Sequence, residues 1–324
     1  MGRHRKHDKH LPQHMHFKHG SYYFVYAGKW TKIGNNQYEA FNAYSKLITP
    51  GGRIVTMSQL FDRYVAEILP GKALETQKGN INQFKYLRSY FGDMRPDTIQ
   101  PTDIYSYMDL REAKVSANRE KALLSHVFMY AIRWGICQLN PCQNVKNFKE
   151  QARDRLVSSD EIKAIFSIAK PVMKLIIEFA ITTGLRQKDI LNFRRSQIID
   201  DGLDVTHSKT GKSFLIEWND RLRRLIAKAV EASGNHDYLF LNEGNTPYTS
   251  SGFQSNWKRL IKKALDEDLI TEPFRFHDLR AVAVTNAYEK MGLQAASDVA
   301  GHTGTALTKR VYVRSKQRMK LPEY

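Results

Sequence analysis

The side chains best suited to chemistry are basic, and they fall in the C-terminal part of the chain. In Thr183-Gly184-Leu185-Arg186-Gln187-Lys188-Asp189-Ile190 a glycine turn sets Arg186 at the start of a helix. Backbone amides at a helix start also favour an anion, and Asp189, one turn on, is placed to hold the guanidinium or the fold. Val205-Thr206-His207-Ser208-Lys209-Thr210-Gly211-Lys212-Ser213-Phe214 has two strand-like runs around Thr210-Gly211. This reads as a hairpin with Lys209 near its tip, where a lysine is commonly an exposed charge but can also reach a bound phosphodiester as a mobile donor. Phe276-His277-Asp278-Leu279-Arg280 spaces His277 and Arg280 three apart, on one face of a helix, with apolar Phe274, Phe276 and Leu279 beside them. That is the pattern of a partly buried anion site. Ala300-Gly301-His302-Thr303-Gly304 follows, and then Tyr312 between Val311 and Val313. Residues 309–320 hold six Lys or Arg and no acid, a field that favours the phenolate of a group whose free pKa is about 10. Most of the 16 tyrosines must be packing residues, and Tyr312 is singled out only by this company.

Taken together, the set suits phosphoryl transfer, which needs positioning and stabilisation of charge on the phosphate oxygens. Two guanidiniums offer forked donors to phosphate, while imidazole and ammonium groups move protons. The order Gly-Leu-Arg, Ser-Lys-Thr-Gly, His-x-x-Arg, Gly-His and Tyr resembles the tyrosine recombinase family. The stretch Met1-Gly2-Arg3-His4-Arg5, with Leu11-Pro12 and Gly20-Ser21-Tyr22-Tyr23, is similar to the arm-binding domain of lambda-type phage integrases.

The resemblance covers nearly the whole chain. It implies an integrase that cleaves and rejoins DNA to integrate or excise a mobile element. Arg186 and Arg280 would clamp the non-bridging oxygens of the scissile phosphate. His277 would accept a proton from the attacking tyrosine or hold the phosphate, Lys209 would protonate the leaving 5′ oxygen, and His302 would complete the cage. Tyr312 would be the nucleophile, giving a 3′-phosphotyrosyl link and a free 5′ hydroxyl. The covalent intermediate keeps the bond energy, so religation needs no ATP, and the set calls for no metal or other cofactor. The implied partners are double-stranded DNA at core and arm sites, a homotetramer on paired sites, and DNA-bending and excision proteins as accessory factors. The chain departs from the usual family pattern in two places. One extra residue separates His302 from Tyr312, and Val299-Ala300-Gly301-His302 stands where Leu-Leu-Gly-His is common.

Elements that could carry these groups are visible along the chain. Residues 1–19 hold six of the 11 histidines and five Lys or Arg, the composition of a disordered basic arm. Tyr22, Phe24 and Tyr26 alternate with Tyr23 and Val25 at strand period, Ala27-Gly28-Lys29 marks a turn, and Trp30-Thr31-Lys32-Ile33 reads as a second strand. A helix is expected from Tyr38 to Leu47, then a linker at Thr49-Pro50-Gly51-Gly52-Arg53. Thr56 with Gln59, and Ser158 with Glu161, are capping boxes that open helices. Helical patterns run over about 72–91, 102–112 and 117–135, with Asn140-Pro141 as the stop. From 158 onward the chain reads as mostly helical, with one strand-rich insert at about 196–217. The fold class is therefore mainly α with small β elements. The expected domains are a basic arm and arm-type DNA-binding domain of small sheet plus helix over 1–52, an all-helical core-binding domain over 53–146, and an α+β catalytic domain over 147–324.

Composition bounds the partner. The 324 residues carry 50 Lys plus Arg against 33 Asp plus Glu, a net charge of +17, which favours nucleic acid over a membrane surface. Residues 1–55 alone hold nine basic and two acidic residues. Candidate DNA contacts are Arg3, Arg5, Lys6, Lys29 and Lys32 at the N-terminal end, and Arg310 and Arg314 around the nucleophile. No apolar run approaches the roughly 18 residues of a membrane span, and no signal peptide is visible. The expected location is the host cytoplasm or nucleoid. Cys137 and Cys142 lack partners at metal spacing and read as reduced packing thiols. Three other readings stay open to the same residues: a metal-dependent nuclease or transposase using Asp200, Asp201 and Asp204, a sequence-specific DNA binder without cleavage, and a type IB-like topoisomerase.

Overall fold

In the computed structural model the described residues are 11–12, 14–26, 28–47, 56–151, 155–208, 211–301, 304–306 and 308. The chain divides into two compact units, Met1–Gln151 and Ala152–Tyr324. Both are mainly helical, and each carries one three-stranded antiparallel sheet.

The first unit opens with strands β1 (Met15–Lys18), β2 (Ser21–Tyr26) and β3 (Lys29–Gly34), joined in sequence order. The alternation in 22–26 and the turn at Gly28 give the β2–β3 hairpin that the sequence suggests. Residues 15–18, expected in a disordered arm, instead form an edge strand. Composition hid this because only Met15 and Phe17 are apolar there. Met15 opposes Phe24 and is fully buried, and Gly20 takes the left-handed φ of 71° that the tight turn needs. Helix α1 (Gln37–Leu47) closes on the sheet, with Tyr44 edge-on to Phe24 at 6.0 Å between centroids.

Four further helices follow: α2 (Met57–Glu67), α3 (Leu74–Phe91), α4 (Pro101–Leu110) and α5 (Lys114–Arg133). Both bonds of the Thr56–Gln59 capping box are present, at 3.1 and 3.4 Å. The helix α5 stops before Asn140-Pro141, because Gly135 with φ 69° turns the chain first. Leu60, Phe61 and Tyr64 of α2 meet Phe84 and Leu87 of α3 and Leu124 and Phe128 of α5 in one buried cluster, which also takes in Met15, Ile33 and Tyr44. Inside it Arg88 donates to Asp62 and, at 3.0 Å, to the carbonyl of Ser58, with 1% and 8% of the Arg88 and Asp62 side chains exposed. Cys137 and Cys142 are free thiols, and burial pushes Cys142 up to about 12.

In the second unit the Ser158–Glu161 box opens α6 (Ser159–Ile168) with bonds of 2.9 and 3.1 Å. The apolar run Leu175–Leu185 lies mostly in α7 (Pro171–Thr183), whose Ile176, Ile177, Phe179 and Ala180 are buried. The short α8 (Gln187–Leu191) leads to β4 (Ile198–Ile199), β5 (Gly202–Thr206) and β6 (Ser213–Glu217). Asp200 and Asp201 occupy the turn between β4 and β5, as the following glycine suggests. Helices α9 (Asp220–Ser233), α10 (Ser250–Asp266) and α11 (Asp278–Val299) complete the unit, with α11 broken at Gly292, where φ is 86°. Among the described residues no helix is long and apolar enough to cross a membrane, and no three His, Cys, Asp or Glu side chains gather as metal ligands.

The buried Arg88–Asp62 pair gives a stability test. Removing one member of such a pair strands the other charge and costs about 3–5 kcal/mol. Asp62→Ala is expected to lower the urea midpoint of the first unit accordingly, and a change under about 1 kcal/mol would mean that water reaches Arg88.

Candidate active site

The second unit's turns converge on one arginine. Arg280, in the first turn of α11 and 2% exposed, donates through Nη1 to the carbonyl of Gly184 and through Nη2 to the carbonyl of Ala300. Gly184 ends α7 in the left-handed region at φ 65°, and a Cβ there would lie 2.6 Å from Val299 Cγ1. Only glycine allows this approach of the turn to the end of α11.

Two residues on, Arg186 is the N-cap of α8, as its place after the glycine turn suggests. It is half-buried, and its Nη1 is buried with no hydrogen-bond partner among the described residues. A buried N–H in that condition is costly unless an acceptor arrives. His277 is the exposed residue immediately before α11, while Asp278 caps that turn by accepting from Arg275 N at 2.9 Å. Arg186 and Arg280 are thus drawn together through Gly184, and His277 sits at the mouth of the helix that carries Arg280. Lys209, His302 and Tyr312 lie outside the described residues, as do Arg3, Arg5, Lys6, Arg310 and Arg314. Lys29 and Lys32 are exposed on β3 of the first unit.

A residue that sequence reasoning passed over sits among these groups. His207, fully buried, follows β5 and closes the hairpin root: its N–H donates to Lys212 O at 2.9 Å, and its carbonyl accepts from Gly211 N at 2.8 Å. Its Nδ1 lies 3.1 Å from Asp189 Oδ2, and the other oxygen of that carboxylate accepts from Ser208 N at 3.0 Å. Since a carboxylate only accepts, Nδ1 carries the proton. Burial holds the ring below the usual histidine value of 6.5. The bond to Asp189 opposes that shift, and the Arg186 and Arg280 charges add to it. Phe214 packs on one side at 4.5 Å between centroids. On the Nε2 edge stands Gly301, with φ 55°, where a Cβ would fall 2.0 Å from Nε2. The signal was present in the sequence: Leu203, Val205 and His207 share one side of the strand, and the first two are core residues.

Comparison with known proteins decides what this constellation belongs to. A profile described as the phage integrase family matches residues 155–319, just over half of the 324. The chain belongs to the phage integrase family. It is 26% identical over 338 aligned positions to the integrase of Enterobacteria phage 434, covering 93% of this chain and 94% of that one. Its fold matches a lambda integrase dimer bound to a COC′ core site, with a TM-score of 0.70 at 21% identity over 98% of this chain and 99% of the other. A lambda integrase tetramer bound to a Holliday junction matches with a TM-score of 0.67 at 21% identity, over 91% and 97% of the two chains. As a member of this family the chain is a site-specific tyrosine recombinase, an integrase that cleaves and rejoins DNA strands.

Two outcomes follow from the packing around this integrase's histidine. Gly301→Ala should cost more than the roughly 1 kcal/mol of a left-handed alanine alone, because the methyl group also displaces the His207 ring. Urea denaturation reads the cost, and a midpoint shift no larger than that of a surface alanine would contradict the contact. The second outcome is pH-dependent. The folded ring stays neutral below the value of 6.5 at which the unfolded ring takes up a proton. Its contribution to stability is therefore full above that pH and is lost as pH falls toward the folded value. Unfolding at pH 7.5 and 5.5 should show a larger acid loss in the wild type than in His207→Asn, which keeps an N–H for Asp189 but does not titrate; equal losses would assign the proton uptake elsewhere.

Proposed function

We propose that Arg186, Arg280, His277, Lys209, His302 and Tyr312 form the strand-transfer site, with Tyr312 as the nucleophile. The observation that supports this reading most is the bonding of Arg280 to Gly184 and Ala300, which draws the turn before Arg186 and the turn before His302 to the same side chain. A guanidinium presents its N–H donors in one rigid planar fork, so the carbonyls that hold Arg280 also fix the orientation of its charge beside the turns before Arg186 and His302. Arg186 supports the same reading through its buried Nη1, which has no partner among the described residues.

In this site Arg186 and Arg280 hold the non-bridging oxygens of the scissile phosphate. The Tyr312 oxygen attacks phosphorus as its proton passes to His277. The bond to the 5′ oxygen breaks, and that oxygen takes a proton from Lys209. His302 completes the cage. The product is a 3′-phosphotyrosyl link with a free 5′ hydroxyl, which reverses the same steps when it attacks.

The DNA is double-stranded and is held at two kinds of site. Residues 1–52 serve arm sites with Arg3, Arg5, Lys6, Lys29 and Lys32, residues 53–146 hold the core site, and residues 147–324, including Arg310 and Arg314, carry the chemistry. Exposed Lys29 and Lys32, next to the half-exposed Trp30, support the first assignment. The working assembly is a homotetramer on paired sites in the host cytoplasm, at the nucleoid, joined by DNA-bending and excision proteins.

Covalent capture tests the nucleophile. On a nicked substrate from which the 5′ fragment diffuses away, the wild type should leave an SDS-resistant protein–DNA adduct, and Tyr312→Phe should leave none. An adduct that survives the substitution would move the nucleophile elsewhere. Complete absence of adduct with the wild type on its own site would favour binding without cleavage.

A further inference from the structure

We propose that His207 is a positioning residue for strand cleavage, fixing the segment that contains Lys209 against Asp189 and the Gly301 turn. This rests on the reading of Lys209 as the group that protonates the leaving oxygen. Asp189 and His207 together hold both ends of residues 208–211. The chain enters this segment with Ser208 N bonded to Asp189 Oδ1 and leaves it with Gly211 N bonded to His207 O and Lys212 O bonded to His207 N. The His207 side chain then ties this root to α8, the helix capped by Arg186, through Nδ1 and Asp189 Oδ2. Its far edge meets Gly301 so closely that a single methyl group there would collide with the ring. One residue therefore links three pieces of the fold: the hairpin root through its backbone, the helix after Arg186 through the Asp189 carboxylate, and the turn before His302 through the edge of its ring.

Packing alone does not require a histidine. An apolar side chain could fill the space beside Phe214, but it would leave one oxygen of a carboxylate only 2% exposed without its donor. The groups facing the ring are Asp189 from α8, the Arg186 and Arg280 charges, aromatic Phe214 from β6, and the backbone of Gly301. In this company a neutral ring is both a donor to Asp189 and a spacer that adds no third cation beside the arginines. Tolerances for proton transfer are tight: a general acid contributes only when it lies within hydrogen-bond reach of the leaving atom. A hairpin root released from Asp189 would therefore slow the step that Lys209 serves before it affects DNA binding.

A change of leaving atom isolates that step. When the 5′ bridging oxygen is replaced by sulfur, the P–S bond breaks to give a thiolate, which with a pKa of roughly 8.5 needs no proton donor. Single-turnover cleavage of oxygen and sulfur substrates should be measured for the full-length wild type, Lys209→Ala, His207→Ala and His207→Asn, alongside DNA affinity. Lys209→Ala should be about 100-fold slower on oxygen and near wild-type on sulfur, the signature of a lost general acid. His207→Ala should be about 30-fold slower on oxygen, within about threefold of wild type on sulfur, and unchanged in affinity. His207→Asn, which returns an N–H at the Nδ1 position, should recover most of the oxygen rate.

Rescue of Lys209→Ala without rescue of His207→Ala would overturn the inference and leave the histidine a packing residue. His207→Ala at the wild-type rate on oxygen would overturn it as well. Failure of sulfur to rescue Lys209→Ala would instead sink the general-acid reading, and the inference with it. If His207→Ala does not fold, the two substrates with His207→Asn still decide: a defect equal on oxygen and sulfur refutes the positioning role.

Discussion

The second unit is organised around a charge that water does not reach. Burying a guanidinium is expensive unless its N–H groups find acceptors, and Arg280 finds them in the carbonyls of Gly184 and Ala300. Both carbonyls belong to helix ends, where the last C=O groups lack intrahelical partners. Arg280 therefore supplies donors to two helix termini while their carbonyls take up its Nη1 and Nη2 groups. The consequence is geometric. The C-terminus of α7 and the two ends of α11 are held to one planar group, and the residues just beyond those ends are Arg186 on one side and the Gly301 turn on the other. A lysine could not do the same, because its ammonium is a point donor on a flexible stem and lacks the rigid fork that bridges two carbonyls.

Glycine makes the arrangement close enough to work. At Gly184 and Gly301 the backbone is left-handed, and at both positions the space a Cβ would take is already filled, by Val299 in one case and by His207 in the other. These glycines act less as flexible joints than as points of contact. Each lets a turn lie directly against a side chain, so that the turn's position is set by packing as well as by its own dihedral angles. That matters for a phosphoryl-transfer site, where the protein contributes mainly by holding donors in place.

Much of this was legible in the sequence, for local reasons. Capping boxes at Thr56 and Ser158 are contained within four residues each, so no distant contact is needed to read them. The hairpin around Gly211 and the placement of Arg186 after Gly184 follow from turn chemistry in the same way. What escaped was set by distant partners. Residues 15–18 read as a basic tail because two apolar residues in four look like chance, and only the opposing Phe24 and Tyr22 make them a strand. His207 was hidden by expectation of a different kind. In a motif already prominent for Lys209, a histidine looks like one more polar neighbour. Strand period puts it on the core side with Leu203 and Val205, and a polar residue on the core side of a strand must have a partner. The partner, Asp189, is 18 positions earlier, a pairing that no local pattern encodes.

The contrast between the buried Arg88–Asp62 and His207–Asp189 contacts shows how differently a buried carboxylate can be used. Arg88 and Asp62 in the first unit are both charged, and their pairing mainly avoids the penalty of stranding either one. His207 and Asp189 in the second are a neutral donor and a charged acceptor, because burial and the nearby arginines oppose a proton on the ring. A site meant for a phosphate gathers positive charge that repels itself until the anion arrives. Every additional cation raises that cost in the empty protein, whereas a neutral histidine adds directional bonding without adding charge. Asp189 reinforces this logic: on the side of the hairpin root its two oxygens hold the imidazole and the Ser208 backbone.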